Sequence, residues 1–154
     1  MRKLLAVAAV AAALTAATAV PAAAAVDPGL GVAYGAALVP VNTRQSLVFT
    51  ATNSDTLGAV AFTFSLNVPA NVRLTDTPAS TTCPGGTVTA VANTRAVTAS
   101  GNLDPGQVAC TVTVSVTSSV AGRYTTCAAD FSNLVGLTPP ATCASIRFAG
   151  GGGS

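Results

Sequence analysis

Four cysteines, five aspartates and no histidine define the chemistry open to this 154-residue chain. Cys83, Cys110, Cys127 and Cys143 can bond in pairs, hold a metal or act as thiolates. No C-x-x-C is present and no histidine can complete a zinc set, so metal spacing and a close redox dithiol are both missing. An even count in an exported chain instead reads as two disulfides. Three pairings are open, and Cys83–Cys110 with Cys127–Cys143 is the favoured one. The first bond would tie the Cys83-Pro84-Gly85-Gly86 turn to the Val108–Val116 segment. The second would hold the C-terminal strand to the segment from Arg123 to Ala128. Closing loops of this length is worth about 3 kcal/mol each in the chain-entropy picture.

The carboxylates offer little more. Asp27 and Asp104 each precede a proline, which is turn chemistry, and Asp55, Asp76 and Asp130 stand alone. No spacing singles out a glycosidase-type pair. Without histidine there is no Ser-His-Asp triad and no imidazole base. Asn53-Ser54-Asp55 supplies one carboxylate, too few for a tight calcium site, and reads as a hairpin turn. There is no tryptophan, and Tyr34 and Tyr124 are the only tyrosines, so no aromatic platform for sugars is evident. Gly85-Gly86 precedes no helix and is a turn, not a phosphate cradle. The expectation is a protein that is not an enzyme and needs neither metal nor cofactor.

Charge narrows the partners. Arg2 and Lys3 stand at the N-terminus, followed by an apolar and small-residue run from Leu4 to Val20, then Pro21 and Ala22–Ala25. This is the pattern of a secretory signal peptide, cut after Ala25. Read instead as a membrane anchor, the run is short and made mostly of weakly apolar alanine. Beyond it lie five arginines (44, 73, 95, 123, 147) and the five aspartates, with no lysine and no glutamate. A chain so balanced has no footprint for nucleic acid and no polybasic patch for lipid. The expected organisation is a signal peptide over 1–25, one domain over 26–149 and a flexible Gly/Ser tail over 150–154.

The elements that must position these residues are strands. Threonine and valine dominate, and both suit a pleated surface. Leu47, Phe49 and Ala51 alternate onto one face, as do Val60, Phe62, Phe64 and Leu66, and Val108, Cys110, Val112, Val114 and Val116. Weaker strands are expected over 32–39, 72–75, 87–91, 96–100, 123–128 and 144–148. Turn chemistry separates them at Asn53-Ser54-Asp55, Val68-Pro69-Ala70-Asn71, Cys83-Pro84-Gly85-Gly86, Ser100-Gly101-Asn102, Asp104-Pro105-Gly106 and Ala121-Gly122. Seven to nine short strands at such spacing mean an all-β sandwich or barrel.

In order, Thr50-Ala51-Thr52-Asn53, Val60 to Leu66, Val68-Pro69-Ala70-Asn71, Thr82-Cys83-Pro84-Gly85-Gly86, Leu103 to Val112 and Gly122-Arg123-Tyr124-Thr125 form a recognisable series. The series resembles the Ig-like conserved-repeat modules of secreted bacterial surface proteins, a domain of unknown function. The resemblance spans about Val32 to Ala128. It implies an Ig-like β-sandwich and a bond between the cysteines at Cys83 and Cys110. Asn71 stands where the modules usually carry glycine, the module occurs once, and Cys127 and Cys143 are additional.

The expected function is a secreted, non-catalytic structural, adhesive or protein-interaction role at or near the bacterial cell envelope. Its partner would be a protein or an envelope component, with no nucleic acid and no stable membrane anchor after cleavage. Loops at 53–57 and 76–82 are the natural places for binding residues. Two alternatives stand beside it: a small-molecule carrier with an apolar cleft between its sheets, and a protease inhibitor presenting the disulfide-held Cys83 loop.

Overall fold

The computed structural model describes residues 28–54 and 58–151. The expected signal peptide, the turn residues 55–57 and the last three residues of the tail lie outside the described residues. The first half of the described chain forms β1 (Gly29–Tyr34), β2 (Leu38–Pro40), β3 (Gln45–Thr52), β4 (Val60–Asn67), β5 (Val72–Leu74) and β6 (Ser80–Thr81). The second forms β7 (Thr87–Ala90), β8 (Ala96–Leu103), β9 (Ala109–Ser118) and β10 (Gly122–Thr126). A single 3-10 turn, Ala128–Asp130, then leads to β11 (Phe131–Val135) and β12 (Ala144–Ala149).

Three hydrogen-bonded sheets result. One runs β1-β3-β9-β5, with β6 also on β9; a second runs β11-β4-β8-β7; a third, of three strands, runs β10-β12-β2. The pairings are antiparallel except that β2 runs parallel to β12. The alternating residues dictate how the layers meet. Leu47, Phe49 and Ala51 of β3 and Cys110, Val112, Val114 and Val116 of β9 are buried on one side. Phe62, Phe64 and Leu66 of β4 and Val97, Ala99 and Leu103 of β8 are buried on the other. The Phe49 ring lies 5.1 Å from Phe64 and 5.9 Å from Phe131. Those distances suit tilted and edge-on aromatic packing. Burying one greasy face per sheet against another is what makes a sandwich. The protein is an all-β, Ig-like sandwich.

Several sequence expectations need correction. The single strand expected over 32–39 is two. β1 pairs with β3, and the chain then crosses at Gly35-Ala36-Ala37 so that β2 can pair with β12. A Cβ at Gly35 would run into the Ser46 hydroxyl, so glycine permits the crossing. Ser100-Gly101-Asn102 is not a turn but the middle of β8. Gly101 sits opposite Phe62, where a Cβ would lie 2.8 Å from Cys83 Cβ and 3.1 Å from the Phe62 ring. Glycine inside a strand marks such a close approach. Val108 does not point inward. The β9 ladder starts one residue later, and Val108 is 63% exposed while its carbonyl accepts the Asn53 N–H. The alternation pattern marks neither β6 nor β11.

The two tyrosines knit the layers. Tyr124 donates its hydroxyl to the Val120 carbonyl at 2.9 Å, an arrangement like the tyrosine corner of Ig-type sandwiches. Gly122 leaves room for the ring, since a Cβ there would meet the Tyr124 hydroxyl at 3.3 Å. Tyr34 of β1 reaches the Thr126 hydroxyl of β10 at 2.8 Å, joining two sheets. Burial raises the Tyr34 phenol above its ordinary 10.0; the Thr126 bond opposes the rise and the Asp130 charge adds to it. A group with a raised folded-state pKa contributes stability that is complete below the unfolded value and is lost as pH rises through the folded one. Stability is therefore expected to fall once pH passes about 10. Tyr34→Phe should flatten that alkaline limb in thermal melts, and an absorbance titration should show a phenol ionising later than free tyrosine.

Candidate functional site

The cysteines bond as Cys83–Cys110 and Cys127–Cys143. Both bonds extend a strand ladder. β6 pairs Thr81 with Val112 on β9, and Cys83 meets Cys110 two steps further along the same register. β10 pairs Thr126 with Ala144 on β12, and Cys127 meets Cys143 at the next step. Each bond thus joins neighbouring strands within one sheet, unlike the inter-sheet bond of antibody domains. Thr82 reinforces the first bond: its N–H donates to the Thr111 carbonyl at 2.9 Å, and its hydroxyl accepts the Thr111 N–H at 2.8 Å. At the second, Asp130 accepts the Cys127 N–H at 2.7 Å and fixes the 3-10 turn. These residues are scaffold.

The loops proposed as binding positions are held to different degrees. Asn53 is buried, and its side-chain amide donates to the Gly58 carbonyl at 3.4 Å. Asp55, Thr56 and Leu57 lie outside the described residues. In the 76–82 loop, Asp76 pairs with Arg44 at 2.7 Å and Arg44 donates to the Thr77 hydroxyl at 3.1 Å. Both charged side chains are exposed, so the pair adds little stability. It borders a shallow groove of about 340 Å³ that Asn42, Asn93 and Thr117 also line. The Cys83 turn is tied to β8. Its Pro84 carbonyl accepts the Asn102 N–H of β8, and Gly86 N–H donates back to the Cys83 carbonyl. The space between the sheets, where a carrier would keep its ligand, is filled by Leu47, Phe49, Phe64, Leu66, Val97 and Val112.

The feature that stands out is the outer face of the β11-β4-β8-β7 sheet. None of its four strands contains a charged residue. Register places Thr87, Ser100, Thr63 and Val135 in one row across the strands. The next row is Thr89, Thr98, Ser65 and Ser132. Seven of these eight positions carry a hydroxyl. Neighbours in a row are about 4.8 Å apart and the rows about 6.8 Å apart, from strand geometry. Thr87 and Ser100 share a hydrogen bond of 2.8 Å. A shallow groove of about 220 Å³ follows the rows past Asn133. From sequence these residues were only the small side chains opposite the greasy ones. The signal was present as period-two Thr/Ser, but adjacency depends on strand register, which no single strand reveals.

Among the described residues no group of three or more His, Cys, Asp or Glu converges on a metal-sized space. Asp76 is paired with Arg44, Asp130 caps the 3-10 turn, and Asp104 lies in a turn where its N–H donates to the Gln107 side chain.

The fold is similar to that of a non-cellulosomal cohesin from the hyperthermophilic archaeon Archaeoglobus fulgidus. The TM-score is 0.54 at 9% identity, over 79% of this chain and 91% of that one. A second similar structure is the collagen binding domain of the Erysipelothrix rhusiopathiae surface protein RspB. There the TM-score is 0.43 at 15% identity, over 72% of this chain and 45% of that one. No curated protein matches the sequence significantly. Residues 28–147 match a family described as a domain of unknown function (DUF7933), and with that match over most of its length the chain belongs to this family.

Proposed function

We propose that this protein is a secreted, non-catalytic interaction module of the bacterial cell envelope, working through the hydroxyl-rich face of the β11-β4-β8-β7 sheet. The observation that carries the reading is that face: seven hydroxyls in two registered rows, on a sheet with no charged residue. Such a surface recognises a neutral partner by hydrogen bonds, and its contacts are little affected by salt. Residues 1–25 serve as a removed leader, and the two disulfides suit an oxidising exterior. The 26–149 domain then acts as a rigid scaffold with the Gly/Ser tail outside it.

The test is binding of the labelled protein to intact cells of the source bacterium and to their envelope fractions, at low and at high salt. Saturable binding that survives high salt is expected. Thr98→Glu places a charge in the middle of the array on an exposed side chain, and should weaken binding about tenfold or more without moving the melting temperature. Absence of binding to every fraction, or binding untouched by Thr98→Glu, would sink the reading.

A further inference from the structure

The outer face of the three-stranded sheet holds an anomaly. β10 and β12 place Arg123 directly opposite Arg147. Like charges at opposed positions of an antiparallel pair repel and destabilise the sheet. The chain has only three other arginines outside its N-terminal segment, so two of five meet at one register position. Neither guanidinium has an acidic partner among the described residues. Asp76 is paired with Arg44, Asp130 accepts the Cys127 N–H, and Asp104 lies in its own turn.

The surroundings are those of a site. Tyr124, Ile146 and Phe148 point into the core, so Arg123, Thr125, Ser145 and Arg147 face outward. Thr125 and Ser145 are opposed in the adjoining row, with their hydroxyls 3.4 Å apart. On the other side, register sets Leu38 of β2 beside Arg147, and Leu38 is 61% exposed. A shallow groove of about 250 Å³ runs between Leu38, Arg123 and Arg147. The surface thus offers two forked cations, a pair of hydroxyls one row away and one apolar contact.

We infer that Arg123 and Arg147 form an oxyanion site for a phosphate ester carried on a hydroxylated scaffold, a sugar- or polyol-phosphate. Two guanidinium forks match the non-bridging oxygens of a phosphate and relieve their own repulsion by binding it. Thr125 and Ser145 meet hydroxyls of the scaffold, and Leu38 covers its C–H surface. A single peptide carboxylate fits less well, because its two oxygens satisfy one guanidinium fork and leave the second cation unpaired. The site is separate from the uncharged face and stands whether or not that face binds a partner.

The experiment is an NMR titration of the folded protein with glycerol 3-phosphate, following the arginine Nε–H signals, with glycerol and inorganic phosphate as separate arms. Saturable shifts of the Arg123 and Arg147 signals are expected, larger than those of Arg44, Arg73 and Arg95 and reduced by added salt. Glycerol alone should move nothing, and inorganic phosphate should bind more weakly than the ester. Arg147→Gln and, independently, Arg123→Gln should each weaken binding about tenfold or more, with Arg147→Lys retaining part of it. Because each Gln substitution removes a repulsion, the melting temperature should stay unchanged or rise, which a structural role would not allow. Equal shifts at all five arginines, equal affinity for inorganic phosphate, or a fall in stability with undiminished binding would overturn the assignment.

Discussion

Phe49→Ala is expected to destabilise the domain by about 3–5 kcal/mol. Phe49 is fully buried at the meeting of two sheets, with Phe64 and Phe131 both within 6 Å of its ring centre. Truncation removes the transfer free energy of a whole ring and leaves a cavity that two strand ladders prevent from collapsing. It also removes two aromatic contacts, each worth about 0.5–1.5 kcal/mol. Phe131→Ala should cost less, because Phe131 is only partly buried on the irregular β11. The effects of Phe49→Ala and Phe64→Ala should not add, since the rings touch. Urea denaturation followed by circular dichroism is the appropriate assay, because the chain has no tryptophan. A loss below about 1 kcal/mol would mean that the two sheets do not meet at this ring.

Removing the Cys83–Cys110 bond through the paired change Cys83→Ala and Cys110→Ala should cost about 3–4 kcal/mol. The bond spans a sequence separation of 27, and loop closure in the unfolded chain accounts for that magnitude. For a domain of this size the melting temperature should fall by roughly 10–15 °C. Both cysteines are buried, so removing their sulfurs also leaves unfilled space. Reductant added to the unaltered protein also opens Cys127–Cys143, so full reduction should lower the melting temperature further than the paired change does. A melting temperature that moves by only a degree or two would show that residual structure in the unfolded chain already keeps the two segments together.

Much of this architecture was written in the side-chain alternation. The runs around Phe49, Phe64 and Val114 bury the faces their period-two pattern assigned. The Gly122-x-Tyr124 pairing was also legible, and its reason is now physical: the glycine makes room for a ring whose hydroxyl returns to Val120. Likewise Asn71, in the turn chemistry of Val68-Pro69-Ala70-Asn71, holds a φ of 69°, a conformation asparagine tolerates. β11 is hidden from the alternation pattern for a definable reason. Asn133 takes a φ of 50° and breaks the register between Ser132 and Val135. Phe131 and Leu134 therefore both pack on the core at a spacing of three, which no alternation test detects. β6 is two residues long and exists because β9 offers it a ladder and Cys83 anchors its end. The hydroxyl array and the opposed arginines were beyond sequence reading altogether. Their members lie on different strands and become neighbours only through pairing registers.

The two cystines also determine how far this molecule can be stretched. Each encloses a continuous stretch of chain, with separations of 27 and 16 residues between the bonded positions. A pull on the two ends can unravel β1 or peel β12, but it cannot draw out the enclosed residues while the bonds are intact. Every residue withheld is about 3.4 Å of length that tension cannot release. Under tension only the chain outside the two loops can be drawn out, and the enclosed length becomes available where the medium turns reducing.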